Sequence, residues 1–216
     1  MTINVRGIVE DRKRHKLFTW LSRQEVDVIL LQETHSTKAN VAKFINSWRG
    51  ESYYSLSSSA HSRGVGILVK RGIRNFKVVN SIKDDSGRTL LLNAEIGQNA
   101  ITLVNVYAPN HIADRCEYFQ QLQTFILQNS ETNHSLILGG DFNCCLNNED
   151  RSTNTHKDDK SRQVFQKMLN NLEMVDIWGV PNVSTYGHIS HGKTTSHQAD
   201  WITSLHHNLY QLILNR

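Results

Sequence analysis

The chain alternates between two patterns of hydrophobic and polar residues, one with the period of a helix and one with the period of a strand. Apolar side chains recur every three or four positions in three segments, and this spacing predicts amphipathic helices that pack one face on a core. The three segments are residues 16–24, 113–128 and 161–174. Each of the first two helices leads into a short apolar run, which indicates helix–strand units.

Short apolar runs bounded by glycine or polar residues predict strands. They lie at residues 26–31, 64–70, 89–96, 100–109, 135–138 and 199–205, and residues 97–99 have the composition of a hairpin turn. We expect Gly139 and Gly140 to end the strand at 135–138, so that Asp141 and Asn143 follow in extended backbone and point the same way. Hairpins mixed with helix–strand units favour an α+β domain, with packed sheets and helices outside.

The composition predicts one globular domain. The chain has 216 residues, of which 38% are hydrophobic and 20% charged, enough for one sizeable core. Its apolar runs are too short to cross a bilayer and its first residues do not resemble a signal peptide, so we expect an intracellular protein, nuclear or cytoplasmic, that binds no membrane. Three cysteines without a C-x-x-C motif fit a reducing compartment. The net charge of +4 suits a polyanionic partner without requiring one.

Polar residues gather where predicted strands begin or end. They are Asn4, Glu33, Tyr107, Asp141, Asn143 and Asp200. Strand ends can share one rim of a sandwich, where neighbouring carboxylates raise one another's pKa unless a cation lies between them. Magnesium prefers oxygen ligands and takes one or two carboxylates together with substrate phosphate. The rim therefore predicts a phosphodiester-cleaving site, in which Glu33 holds the metal ion and a second carboxylate orients or deprotonates water.

Several motifs carry a resemblance to a known family. They are NVRG at residues 4–7, LLQETH at 30–35, NVYAPN at 105–110, GGDFN at 139–143, and the later Asp200. In this order and spacing they resemble the endonuclease/exonuclease/phosphatase family. The likeness is greatest to the endonuclease domain of non-long-terminal-repeat (LINE-type) retrotransposons, which is itself similar to apurinic/apyrimidinic endonucleases. It extends over nearly all of residues 1–216.

The resemblance implies a four-layer α/β-sandwich of the deoxyribonuclease type, in which two packed mixed β-sheets lie between outer helices. It implies that Asp141 orients or activates water and that Asn143 holds a phosphate oxygen. Glu33 would bind Mg²⁺, or Mn²⁺ in its place, and Asn4 would position Glu33 or a metal-bound water. Tyr107 would contact the phosphate. The implied partner is DNA, with no small-molecule cofactor, and a reverse transcriptase domain accompanies this domain in full-length elements.

The last part of the sequence departs from the family pattern. Members usually follow the late acid, here Asp200, with another strand and a Ser-Asp-His segment whose histidine contacts the scissile phosphate. The 216 residues lack that strand and that segment. Gln198 and Ala199 stand where a basic and an aliphatic residue commonly precede the acid. We therefore expect weak or no turnover from these residues, and replacement of the missing histidine by His207 is the less favoured alternative.

Other interpretations stay open beside the DNA endonuclease. The domain could be non-enzymatic, a decayed piece of a mobile element, or it could be another phosphoesterase of the same family that acts on inositol phosphate or RNA tails. Individual residues also have structural alternatives. Glu33 could be a solvated acid, Asp141 and Asn143 could form a helix cap or an Asx-turn, and Tyr107 could pack at a strand end.

Overall fold

The computed structural model describes residues 1–131, 133–144 and 159–176, together with the backbone of residues 210–215. The first elements are β1 (Thr2–Asn4), α1 (Asp11–Ser22), β2 (Val28–Gln32), α2 (Val41–Ser47), β3 (Glu51–Ser55), β4 (Val65–Val69) and β5 (Phe76–Lys83). They are followed by β6 (Thr89–Ile96), β7 (Asn99–Tyr107), α3 (Ile112–Asn129), β8 (Ser135–Asp141), α4 (Lys160–Asn171), β9 (Met174–Asp176) and β10 (Tyr210–Asn215). None of the described helices is both long and apolar enough to span a bilayer.

The strands form two mixed sheets. The first has the order β1-β2-β4-β3 and the second the order β5-β6-β7-β8-β10-β9. Two neighbouring pairs are parallel, β1 with β2 and β7 with β8, and the other pairs are antiparallel. The α+β architecture with two sheets and outer helices is therefore confirmed.

Continuous apolar strands arise because each sheet is covered on both faces. In β2, Leu30 packs between the two sheets, whereas Ile29 and Leu31 pack in the core that holds α1 and α2. In β6, Leu90 faces the space between the sheets and Leu91 faces the core under α3 and α4. Three apolar cores thus separate four layers, in the order helices, sheet, sheet, helices.

Several predicted boundaries differ from the structure. α1 begins at Asp11, five residues before the predicted start, and α4 ends at Asn171, after which Met174 begins a strand. α2, β3, β5, β9 and β10 were not predicted. The predicted strand at residues 199–205 lies outside the described residues.

The prediction that Gly139 and Gly140 end their strand is wrong, because β8 continues through both glycines to Asp141. Gly140 pairs with Val106 of the parallel strand β7, and its φ is +143°. A Cβ atom at Gly140 would lie 2.1 Å from the Val106 carbonyl oxygen. Gly140 therefore does not form a turn. It allows the backbones of β7 and β8 to approach each other closely.

Candidate active site

Two parallel strands of the first sheet place Asn4 beside Glu33. Asn4 is the last residue of β1 and lies opposite Gln32, the last residue of β2. The pairing continues past both strands, since the Gly7 amide donates to the Glu33 carbonyl at 2.6 Å and the Ile8 amide donates to the Thr34 carbonyl at 3.2 Å. The backbone that carries Glu33 is therefore held against the NVRG segment.

The second sheet contributes the ends of its own parallel pair. Tyr107 ends β7, Asp141 ends β8, and the two residues are paired in register. The Ala108 amide donates to the Asp141 carbonyl at 2.9 Å, which extends the pairing by one residue. Both parallel pairs thus end at the same rim of the sandwich, as the sequence pattern predicts.

One amide joins the two sheets at this rim. Asn4 Nδ2 donates to Glu33 Oε1 at 3.1 Å and to Asp141 Oδ2 at 3.0 Å. Asn4 Oδ1 accepts from the Arg6 amide at 3.1 Å, so the backbone fixes which end of the amide faces the carboxylates. The Tyr107 hydroxyl donates to the same Glu33 oxygen. Asn4, Glu33, Tyr107 and Asp141 therefore form one hydrogen-bonded group.

Asn143 is close to this group but does not lie where extended backbone would place it. Its φ is +49°, so it is in the left-handed region and has left the strand. Its amide donates to Asp141 Oδ1 at 3.1 Å, in the manner of an Asx-turn, and its Nδ2 donates to the Ala108 carbonyl at 2.8 Å. The expectation that Asp141 and Asn143 share one face of extended backbone is therefore wrong, because the chain turns between them.

Positive φ values cluster at the rim. Arg6, Glu33, His35 and Asn143 have φ between +46° and +58°. A left-handed conformation is uncommon for residues other than glycine and is found most often at functional sites. The sequence gives no sign of this strain, since it depends on how the loops after β1, β2 and β8 meet.

The electrostatics of the site follow from burial and from one neighbouring acid. Burial raises the pKa of Asp141, and the negative charge of Glu33 raises it further, whereas the hydrogen bonds from Asn4 and Asn143 oppose the change. Burial also raises the pKa of Tyr107, and its hydrogen bond to Glu33 acts in the same direction. Tyr107 therefore remains a protonated donor at neutral pH.

Arg88 belongs to the site and was not predicted from the sequence. Its Nη1 donates to the Tyr107 carbonyl at 2.9 Å, and its guanidinium lies 5.3 Å from the centre of the Tyr107 ring. Burial lowers the pKa of Arg88, and the nearby charge of Arg63 acts in the same direction. A lone arginine before a predicted strand carries no signal of this position, because the contact depends on the packing of β6 and β7.

The oxygen-rich group suits a hard cation that keeps several of its own ligands. Within the described residues there is no cluster of three His, Cys, Asp or Glu side chains that would form an all-protein cage. No lysine, arginine or histidine in the described part of the chain forms an ion pair with Glu33 or Asp141. Two carboxylates that share one amide without a counter-ion match the needs of Mg²⁺, which binds through one or two carboxylates and retains waters.

Two residues considered for the site lie outside the described residues. They are Asp200, the late acid, and His207, the alternative histidine. Of the predicted site residues within the described part of the chain, Asn4, Glu33, Tyr107 and Asp141 share direct hydrogen bonds, and Asn143 joins them through its backbone amide.

Comparison with known proteins gives a family match over most of the chain. The model of the Endonuclease/Exonuclease/phosphatase family matches residues 1–203. A protein of Xenopus laevis described as Transposon TX1 uncharacterized 149 kDa protein is 28% identical over 184 residues, which are 85% of this chain and 14% of that protein. The chain therefore spans about a seventh of this relative.

Solved structures share the fold at low sequence identity. An AP endonuclease from Leishmania major has a TM-score of 0.66 at 18% identity, covering 99% of this chain and 78% of its own. An AP endonuclease from Archaeoglobus fulgidus has a TM-score of 0.62 at 18% identity, covering 99% and 85%. A 3′ phosphatase from Neisseria bound to a product DNA hairpin has a TM-score of 0.66 at 16% identity, also covering 99% and 85%.

Proposed function

The chain belongs to the endonuclease/exonuclease/phosphatase family, and from this premise we propose that it is a magnesium-dependent DNA endonuclease of the retrotransposon type. The observation that carries the proposal is the single amide of Asn4 between the carboxylates of Glu33 and Asp141. This arrangement sets the proposed metal ligand and the proposed base side by side at the rim.

Glu33 is the proposed ligand of Mg²⁺, or of Mn²⁺ in its place. Its Oε1 accepts from Asn4 and Tyr107, and its Oε2 accepts no hydrogen bond from the described residues. Oε2 is therefore the oxygen open to a cation. A bound Mg²⁺ would supply Lewis-acid polarisation of a phosphate oxygen and neutralise developing charge. Asn4 presents its nitrogen to Glu33, which favours a positioning role for Asn4 over direct ligation.

Asp141 is the proposed general base. Hydrogen bonds from the Asn143 amide and from Asn4 fix its two oxygens, so the carboxylate has one orientation. Its raised pKa brings the carboxylate nearer to neutral pH, which favours proton abstraction from an attacking water. Asp141 is buried, with 2% of the residue exposed.

Tyr107, Asn143 and Arg88 are the proposed phosphate contacts. The Tyr107 hydroxyl and the Asn143 amide are both donors at the rim, where they bond to Glu33 and to the Ala108 carbonyl. Donors of this kind stabilise the negative charge that grows on phosphate oxygens in the transition state. Arg88, stacked on the Tyr107 ring, adds a positive charge beside them.

DNA is the proposed substrate, and a mobile element is the proposed source of the domain. Support comes from the Xenopus laevis transposon relative and from the Neisseria 3′ phosphatase bound to a DNA hairpin. Because the chain spans only 14% of that relative, we also propose that the domain works beside other domains, a reverse transcriptase among them.

Nicking of supercoiled plasmid tests the proposal. Wild-type protein with magnesium should convert supercoiled to open-circular DNA slowly, in line with the weak turnover that the sequence predicts, and chelator should stop the reaction. Asp141→Asn should lower the rate by at least about a hundredfold, the range expected when proton transfer is lost. Asp85→Asn, a change at an exposed acid, is the matched control and should keep the full rate. Absence of nicking by folded, magnesium-saturated protein would favour the non-enzymatic alternative.

A further inference from the structure

A basic depression lies at the far end of the first sheet from the active site. It has a volume of about 430 Å³, and none of its lining residues is acidic. Its basic lining residues are His15, Arg23, Arg49, Lys70 and Arg71, which we call the basic pocket. We propose that the basic pocket is a second nucleic-acid site that binds the phosphate backbone without reading bases.

The pocket is assembled by three separate segments of the chain. Arg23 caps the C-terminal end of α1, and Arg49 follows α2. β3 begins at Glu51, which pairs with Val69 at the end of β4. Arg49 and Arg71, each two residues beyond this pair, therefore lie at the same end of the two strands, and both line the pocket. The cations thus converge because of tertiary structure, since they come from three segments that are far apart in the sequence.

Three of the cations are available to a ligand. Lys70 Nζ donates to the Gln24 carbonyl and is engaged in holding the end of α1. The side chains of Arg23, Arg49 and Arg71 are exposed, and within the described residues their guanidinium groups make no hydrogen bond or ion pair. Like charges gathered without counter-ions repel one another, and a polyanion relieves that repulsion.

Nearby acids do not neutralise the pocket. Glu51 is adjacent to it in sequence, but its carboxylate accepts a hydrogen bond from the Tyr53 hydroxyl. Tyr53 packs between the two sheets, and Glu51 shares its face of β3, whereas the pocket opens on the helix side. Glu25 and Asp27 also do not line it.

Phe18 and Trp48 are the buried, apolar part of the pocket lining. Trp48 Nε1 donates to the Val69 carbonyl at 3.0 Å, and the Phe18 and Trp48 rings pack edge to face at 5.5 Å. Gly50 makes room for this contact, because a Cβ atom there would lie 1.9 Å from the Val69 oxygen. Trp48 is buried and its N–H is used, so it offers no platform on which a base could stack. The pocket therefore offers cations without an aromatic surface on which a base could stack, which suits backbone binding.

The pocket is separate from the active site. The Lys70 amide donates to the Asp27 carbonyl at 2.9 Å, which places the pocket at the start of β2. Glu33 lies beyond the other end of β2, six residues away, and at about 3.3 Å per residue this corresponds to about 20 Å. One phosphate cannot contact both places, whereas a nucleic acid that extends past the rim can.

The chemistry of the pocket favours nucleic acid. Arginine presents a planar fork of donors that matches phosphate oxygens, and three of the cations are arginines. None of the exposed large hydrophobic side chains of the described residues lines the pocket, so it lacks what a membrane surface would require. The preference for nucleic acid over an acidic protein rests on the proposed function, since DNA held at the rim brings further phosphates within reach.

The test compares two double variants that each remove two positive charges. Arg49→Gln with Arg71→Gln removes two of the three exposed arginines of the pocket, and Lys83→Gln with Lys167→Gln changes exposed lysines elsewhere. Fluorescence polarisation measures the binding of a fluorescein-labelled duplex over a range of salt concentrations. The duplex has about 30 base pairs, which is long enough to span the active site and the basic pocket. All proteins carry Asp141→Asn and contain chelator, so that binding is measured whether or not the domain nicks DNA.

We expect the pocket variant to bind on the order of tenfold more weakly, with a slope of log affinity against log salt about 2 smaller in magnitude. Arg49→Lys with Arg71→Lys should restore most of the slope, since the charges return. Equal affinity and equal slope in the pocket and control variants would overturn the proposal. So would a loss of binding to phosphatidylserine vesicles or to poly-aspartate while duplex binding is unchanged. Absence of nicking by the protein without Asp141→Asn, assayed separately with magnesium, while pocket-dependent binding is intact would instead contradict the proposed function alone.

Discussion

Asn4 donates from one amide nitrogen to Glu33 in its own sheet and to Asp141 in the other sheet, a residue 137 positions away in the chain. The relative position of the two carboxylates therefore depends on how the sheets pack. Asn4 is the side chain whose hydrogen bonds link the two carboxylates across the sheets. Asn4 has this role although it ends a strand of only three residues.

Asn4→Ala should lower plasmid nicking by about 10- to 100-fold, the range expected when the residue that orients a metal ligand is lost. The rate should fall because Glu33 and Asp141 no longer share a donor that fixes them. Asn93→Ala is the control for stability, because Asn93 is equally buried and donates to Asn80 and to the Asn129 carbonyl, away from the rim. Both variants should lose about 1–3 kcal/mol of unfolding free energy in urea. Equal nicking by the two folded variants would show that Asn4 has no positioning role.

Glu33→Gln should abolish the rise in melting temperature that millimolar magnesium gives the wild-type protein. A ligand that binds the folded form stabilises it by mass action, and the neutral amide removes the charge that attracts the ion. The change keeps an oxygen that can accept from Asn4 and Tyr107, so the fold should be unaffected. Differential scanning fluorimetry with and without magnesium measures the shift, with Glu25→Gln, a change at an exposed acid, as the control. A shift of wild-type size in Glu33→Gln would place the metal ion elsewhere.

Gly140→Ala should destabilise the domain by about 3 kcal/mol or more, because steric overlap and a strained backbone act together. The new Cβ would lie 2.1 Å from the Val106 oxygen, so β7 and β8 would have to separate beside Tyr107 and Asp141. Gly72→Ala is the matched control, since Gly72 also has a positive φ, of +88°, but has no atom within 4 Å of the added carbon. Chemical unfolding of both variants measures the difference. If the two variants lost similar amounts of unfolding free energy, the positive φ of Gly140, and not the close approach of β7 and β8, would be the reason that a glycine is needed there.

Strong periodicity is what made parts of the fold predictable. β6 has the predicted bounds, and α3 differs from its prediction by one residue at each end, because both segments bury a regular set of apolar side chains. α2 was missed because it has seven residues and buries only Phe44. β5 was missed because it is an edge strand whose side chains are mostly exposed, so its pattern resembles a loop.

The site was predictable to the extent that it depends on strand ends. Asn4, Glu33, Tyr107 and Asp141 follow apolar runs, and parallel pairing brings them to one rim. The conformation of Asn143 and the position of Arg88 were not predictable in this way. They depend on a left-handed turn after β8 and on the stacking of Arg88 on Tyr107, which are set by loops and by packing between neighbouring strands.

The raised pKa of Asp141 predicts how stability depends on pH in metal-free protein. Burial is the main cause, and the charge of Glu33 adds to it, so the folded protein binds the proton more tightly than the unfolded chain, where the pKa is near 3.8. This contribution to stability is fully present below pH 3.8 and is lost as the pH rises through the folded pKa. The free energy of unfolding of wild type minus that of Asp141→Asn should therefore fall as the pH rises above about 4.

Asp159 supplies a control of opposite sign. Its burial raises the pKa, but the hydrogen bond from Ser161 and the charge of Arg115 outweigh burial, and the net pKa lies below 3.8. The contribution of Asp159 to stability is present above pH 3.8 and is lost as the pH falls. The free energy of unfolding of wild type minus that of Asp159→Asn should therefore rise with pH over the acid range. Urea unfolding in chelator at a series of pH values measures both differences. The contrary result would be a free-energy difference between wild type and Asp141→Asn that rises with pH, as the Asp159 difference does. The fold would then stabilise the charged form of Asp141 in the absence of metal. Repulsion from Glu33 could not in that case be the reason that the rim attracts a cation.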